Sequence, residues 1–107
     1  MPGQDRSHFV QRRSDRHPVN DAAQMRLQLY NVEVRVCDVS QSGFMAECDD
    51  TVEIGSHVTL DVPGLGPVRA QVRWQIGGRM GGMFLDPIRL TQCEWTAIRT
   101  EDLALTA

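Results

Sequence analysis

VRAQVRWQIGGRMGGMFL, residues 68–85, is the stretch that decides the fold. Val68, Ala70, Val72, Trp74 and Ile76 fall on one face of an extended chain, with Arg69, Gln71, Arg73 and Gln75 on the other. Successive side chains of extended backbone point to opposite faces, so this two-residue period predicts a half-buried strand. Trp74, on the apolar face, is expected in the core. Arg69 and Arg73 face outward, either simply solvated or extending a positive binding surface. Gly77-Gly78 supplies a hairpin turn, and residues 79–85 return as a second strand that Pro87 ends.

Working back from this hairpin, the same period recurs. Pro63-Gly64-Leu65-Gly66-Pro67 is a strong turn signal, preceded by Val58, Leu60 and Val62 alternating with Thr59 and Asp61. Asp49-Asp50 through Gly55 reads as a connection. Phe44, Ala46 and Cys48 mark a strand that follows a turn at Gln41-Ser42-Gly43. Val32, Val34 and Val36 alternate with Glu33, Arg35 and Cys37, and Met25, Leu27 and Leu29 alternate with Arg26 and Gln28. Six short strands without intervening helices predict a small antiparallel β-barrel, a closure that removes exposed sheet edges. After the barrel the period changes. Thr91-Gln92-Cys93-Glu94 fits a capping box with Leu90 and Trp95 placed as a hydrophobic staple, which predicts a C-terminal α-helix over 92–103 packing Trp95 and Ile98 on the barrel. The expected organisation is a flexible, arginine-bearing arm over 1–20 and a barrel with terminal helix over 21–107.

Size and composition narrow the function. The chain has 107 residues, 41% hydrophobic and 23% charged, the profile of one soluble globular domain. It contains no apolar run near the roughly 18 residues of a membrane span, and its polar N-terminus lacks a secretory signal, so a cytoplasmic location without membrane insertion is expected. Cys37, Cys48 and Cys93 are odd in number and widely spaced, and His8, His17 and His57 are scattered. Neither a disulfide framework nor a metal site is expected from that pattern. All eleven basic residues are arginine; residues 1–20 carry a net +2 and the remaining 87 residues −5. An acidic body disfavours long nucleic acid, and 6% aromatic content disfavours a single-stranded RNA platform. A small anion gripped by a few placed arginines remains compatible. No nucleophile has a nearby histidine and orienting acid in the sequence pattern, so no catalytic residues are assigned.

Two short motifs remain. Arg12 and Arg16 form R-x-x-x-R in the arm, and Asp38-Val39-Ser40-Gln41-Ser42-Gly43 is D-x-S-x-x-G at the end of the second strand. On its own the second motif also fits a plain turn, with Asp38 and Ser40 bonded to nearby amides. In this order on such a barrel, the pair resembles the PilZ domain family of bacterial signalling proteins. The Val72-Arg73-Trp74 strand end, the Gly81-Gly82-Met83-Phe84-Leu85 strand and the terminal helix extend the likeness across residues 10–100.

That resemblance implies a six-stranded PilZ-type barrel. It also implies a non-enzymatic receptor for the second messenger cyclic di-GMP, with no cofactor. Arg12, Arg16, Asp38, Ser40 and Gly43 are the implied ligand-binding residues, with Arg13 a candidate addition. The chemistry agrees with them. A guanidinium meets phosphate oxygens or guanine O6 and N7 as a planar fork, and a carboxylate accepts from guanine N–H groups. The expected mechanism is a ligand that draws the arm across the barrel, creating a surface read in trans by a downstream protein. The alternative is a ligand-free PilZ-like adaptor that works by protein–protein contact alone.

Overall fold

The alternation becomes backbone pairing in a computed structural model that describes residues 16–96. Six strands follow one another: β1 (His17–Arg26), β2 (Asn31–Val39), β3 (Gly43–Glu47), β4 (His57–Val62), β5 (Gly66–Ile76) and β6 (Arg79–Phe84). They close into a barrel in the order β1-β2-β3-β6-β5-β4, every pairing antiparallel. The inward positions of the sequence supply its core. Val32, Val34, Val36, Val58, Leu60 and Val62 are buried, as are Ala70, Val72 and Met80. Phe44 and Phe84 stack across them with ring centroids 5.7 Å apart. Among the described residues, no helix is long and apolar enough to cross a membrane.

Four expectations need correction. The first concerns where β1 lies. It begins at His17, so the arm expected over 1–20 yields its last four residues to a strand paired from His17 opposite Val39. Backbone pairing with β2 extends β1 where the side chains, broken by Pro18 and a register shift, carry no period. The same strand stops at Arg26, so Leu27 and Leu29 are not strand positions; the Leu27 N–H donates to the Tyr30 carbonyl at 2.8 Å and closes the connection. No glycine or proline there announces a turn. Residues 1–15 lie outside the described residues.

The second correction concerns β5, whose register shifts between Val72 and Trp74. Beyond that shift Ile76 is exposed and Trp74 only half-buried, so neither continues the core face. The third concerns the C-terminal segment, where helical backbone starts at residue 94 rather than 92. The fourth is the capping box: the Glu94 N–H donates to the Pro63 carbonyl at 2.8 Å, a tertiary partner in place of the Thr91 hydroxyl. Trp95 packs on the core as expected, with its indole N–H donating to Asp21 Oδ2 at 3.0 Å. Most of the expected helix, including Ile98, lies outside the described residues.

Candidate functional site

A strand with side chains alternating at every step would send Asp38 into the core behind Val32, Val34 and Val36. The register of β2 against β3 shifts between Val36 and Asp38, leaving Cys37 as the extra residue. Such a bulge turns the following side chains over. Val39 therefore enters the core, fully buried, while Asp38 sits at the surface. There it accepts a hydrogen bond from Arg16, Nη1 to Oδ1 at 3.0 Å, an ion pair joining residues 22 apart in sequence. The Asp38 side chain is 18% exposed and that of Arg16 57%. Asp38 is thus held by its surroundings, and Arg16 reaches it from solvent.

The D-x-S-x-x-G spacing then closes on itself. The Ser40 N–H donates to the Gly43 carbonyl at 2.8 Å, and the Gly43 N–H returns to Ser40 Oγ at 3.1 Å. Two further backbone bonds fasten this turn to the end of β6 and the chain after it, from Phe84 N–H to the Ser42 carbonyl and from Ile88 N–H to the Gln41 carbonyl. Gly43 is required by its neighbour rather than by its dihedral angles. A Cβ at that position would collide with the carbonyl oxygen of Gly82 on β6.

Beside the turn is an open concavity of about 180 Å³ lined by Arg16, Ser40, Gly43, Arg73, Trp74 and Gly81, among others. The β5 bulge places Arg73 and Trp74 on that wall together. Trp74 lies over Gly81, where any Cβ would strike the indole. Of the five residues expected in the site, Arg16, Ser40 and Gly43 line this concavity and Asp38 joins it through Arg16. Arg12 and the candidate Arg13 lie outside the described residues. A strict period of two in the sequence places Arg73 and Trp74 on opposite faces and so separates them. The signal available was Gly81-Gly82, two consecutive strand positions without side chains, which marks a surface that an aromatic ring can cover.

The cysteines stand apart from this constellation. Cys48 and Cys93 are buried and Cys37 half-buried, all as free thiols. Burial pushes the Cys48 thiol pKa up, aided by the nearby Asp50 and Asp49 carboxylates and opposed by its hydrogen bond to the Asp50 carbonyl.

A family model of the PilZ domain matches residues 10–102, nearly the whole chain and both motifs within it. The chain belongs to the PilZ domain family. PilZ domains are binding and adaptor modules that generally take cyclic di-GMP. A search of curated proteins gives no match.

Proposed function

We propose that this protein is a cyclic di-GMP receptor that holds the dinucleotide between the R-x-x-x-R segment and the D-x-S-x-x-G turn, and signals to a partner protein. The observation that carries this is the meeting of Arg16 and Asp38 at 3.0 Å beside the concavity that Ser40 and Gly43 line. A phosphate and a guanine edge together satisfy both members of that pair. Phosphate oxygens replace the carboxylate on Arg16, and guanine N–H groups replace the guanidinium on Asp38. Trp74 and Arg73 offer a stacking face and a further charge on the opposite wall. At about 180 Å³ the concavity is smaller than a typical ligand pocket of roughly 300–1,000 Å³. It therefore takes one base or phosphate, and Arg12, from the segment ahead of β1, grips the rest.

Isothermal titration with cyclic di-GMP, with GTP as control, tests this. Wild type gives saturable binding. Arg16→Ala weakens it by roughly tenfold to over a hundredfold, since charged hydrogen bonds contribute about 1.5–3 kcal/mol. The variant still folds, because an exposed ion pair contributes at most about 1 kcal/mol. Equal affinity in the variant rules the site out. The alternative function, an adaptor working without the dinucleotide, is favoured by one feature: Leu29 and Ile54 stand in solvent away from this site. No heat at high ligand concentration selects it.

A further inference from the structure

The barrel end opposite the Arg16–Asp38 pair is built around side chains that folding leaves in water. Leu29 is 89% exposed and Ile54 62%, with Tyr30 at 50%. Single apolar residues on a surface mean little, but these converge. Leu27, Leu29 and Tyr30 of the β1–β2 connection form one wall of a concavity of about 790 Å³, and Thr51, Glu53 and His57 help form the other. Ile54, next to the lining residue Glu53 in sequence, is exposed but outside that lining.

The second wall is a braced segment. Buried Val52 donates its N–H to Gln75 Oε1 at 3.0 Å, and Gln75 Nε2 donates to the Asp50 carbonyl at 2.8 Å. On the other side of Ile54, the Gly55 N–H donates to the Val72 carbonyl at 2.7 Å, and Gln71 Nε2 donates to the Gly55 carbonyl at 3.0 Å. Bonds to β5 thus fix the chain before and after Ile54 while its side chain stays outside. A surface ordered in advance loses little entropy when a partner binds.

The charge on this wall is acidic: Glu53 lines it and Asp50 is exposed just ahead of it in the chain, while Glu47 and Asp49 line a separate concavity with Glu33 and Arg35. The 27–30 wall carries no charge, and Arg26 just before it is paired with Asp61 at 2.9 Å. We infer that this face docks a basic, apolar segment of a partner protein, its apolar side chains on Leu29, Tyr30 and the neighbouring Ile54 and its cations against Glu53 and, at the margin, Asp50. A second copy of the chain would set two acidic walls against each other, and an anionic lipid surface would be repelled in the same way. A cationic amphipathic helix laid in a groove matches both the apolar and the acidic features. The partner's place in signalling rests on the receptor function proposed above. The surface itself is independent, lying roughly 25 Å along β2 from Asp38, so both ends can be occupied at once.

A synthetic leucine–lysine amphipathic peptide is a suitable probe, with a leucine–glutamate peptide of the same length as control. It is titrated into the full chain by fluorescence anisotropy, and backbone amide shifts locate it. The expected result is saturable binding of the lysine peptide alone, with shifts confined to residues 27–30 and 49–57. Replacing Leu29→Ser together with Ile54→Ser weakens it by about tenfold or more, while the melting temperature moves by no more than about 3 °C. Glu53→Gln weakens it less and flattens its salt dependence, and Arg16→Ala leaves it unchanged. Shifts elsewhere, equal binding of the glutamate peptide, or indifference to the double substitution overturns the proposal. So does concentration-dependent self-association abolished by that substitution, which assigns the face to a second copy. Peptide binding retained by a protein that takes no cyclic di-GMP removes the receptor function and leaves the surface standing.

Discussion

The same six strands make both ends of the barrel, and the ends differ in how strictly those strands keep their register. Around Arg16 and Asp38, pairing shifts three times: between Pro18 and Asp21, between Val36 and Asp38, and between Val72 and Trp74. At the other end, β1 and β2 run in step to Arg26 opposite Asn31, and β5 and β6 to Ile76 opposite Arg79. A strand in step can place a side chain outward only at every second position. A bulge breaks that constraint, so Arg73 and Trp74, neighbours in sequence, line one concavity. Polar and aromatic groups are gathered where the ladder is irregular. The most exposed apolar residues of the connections, Leu29, Tyr30 and Ile54, stand at the regular end.

The hardest test of the irregular end is Gly43→Val. Its Cβ would fall on the Gly82 carbonyl oxygen, a backbone atom fixed within the β3–β6 pairing. The expected cost is about 3 kcal/mol, seen as a fall in melting temperature of over about 10 °C. A variant that melts like wild type shows that the two strands can separate at this point. Trp74→Ala asks a finer question, whether the β5 bulge serves ligand binding as well as packing. Base stacking contributes about 1–3 kcal/mol, so affinity for cyclic di-GMP should fall roughly five- to a hundredfold, with Trp74→Phe retaining part of it. Undiminished affinity by titration confines the indole to covering Gly81.

The smallest effect belongs to the regular end. Cys48 is buried just after β3, and its thiol pKa is raised by burial above that of the unfolded chain. Stability from keeping the thiol neutral is therefore fully present below the unfolded pKa, about 9.0, and is lost as pH rises through the folded value. Denaturant midpoints of wild type should decline above that pH more steeply than those of Cys48→Ala. Parallel slopes would show that the thiol does not titrate in this range.

How far the sequence revealed all this follows from the same contrast. Val32, Val34, Val36, Val58, Leu60 and Val62 announce their faces because nothing interrupts the period, and all are buried. Bulges have no such signature, being properties of the partner strand as much as of the one that bends. The period therefore predicts Trp74 and Ile76 in the core, whereas on that face only Ala70 and Val72 are buried. Asp38, Ser40 and Gly43 were legible because the D-x-S-x-x-G spacing writes its own turn, in which hydroxyl and amide are three residues apart. The family likeness implies Arg16 and Asp38 in one ligand site, but their direct pairing is not legible in the sequence, since no local rule links positions 22 apart. The start of β1 at His17 was hidden for a related reason: its partner, Val39, belongs to another part of the chain.

The barrel is joined between β1 and β4 by only Met25 opposite Leu60 and Arg26 opposite Thr59, the shortest of its six pairings. Those strands are also the outer members of two sequence-local groups, β1-β2-β3 and β4-β5-β6, each of which can form largely from short-range contacts. Loop-closure entropy makes contacts between distant segments late and slow to form, so the join should complete the ring last in folding. It should also be the first place to part under strain. Because β1 is paired to β2 from His17 to Arg26 but to β4 only at Met25 and Arg26, the seam can open while β1 stays on β2, giving the ring a built-in clasp.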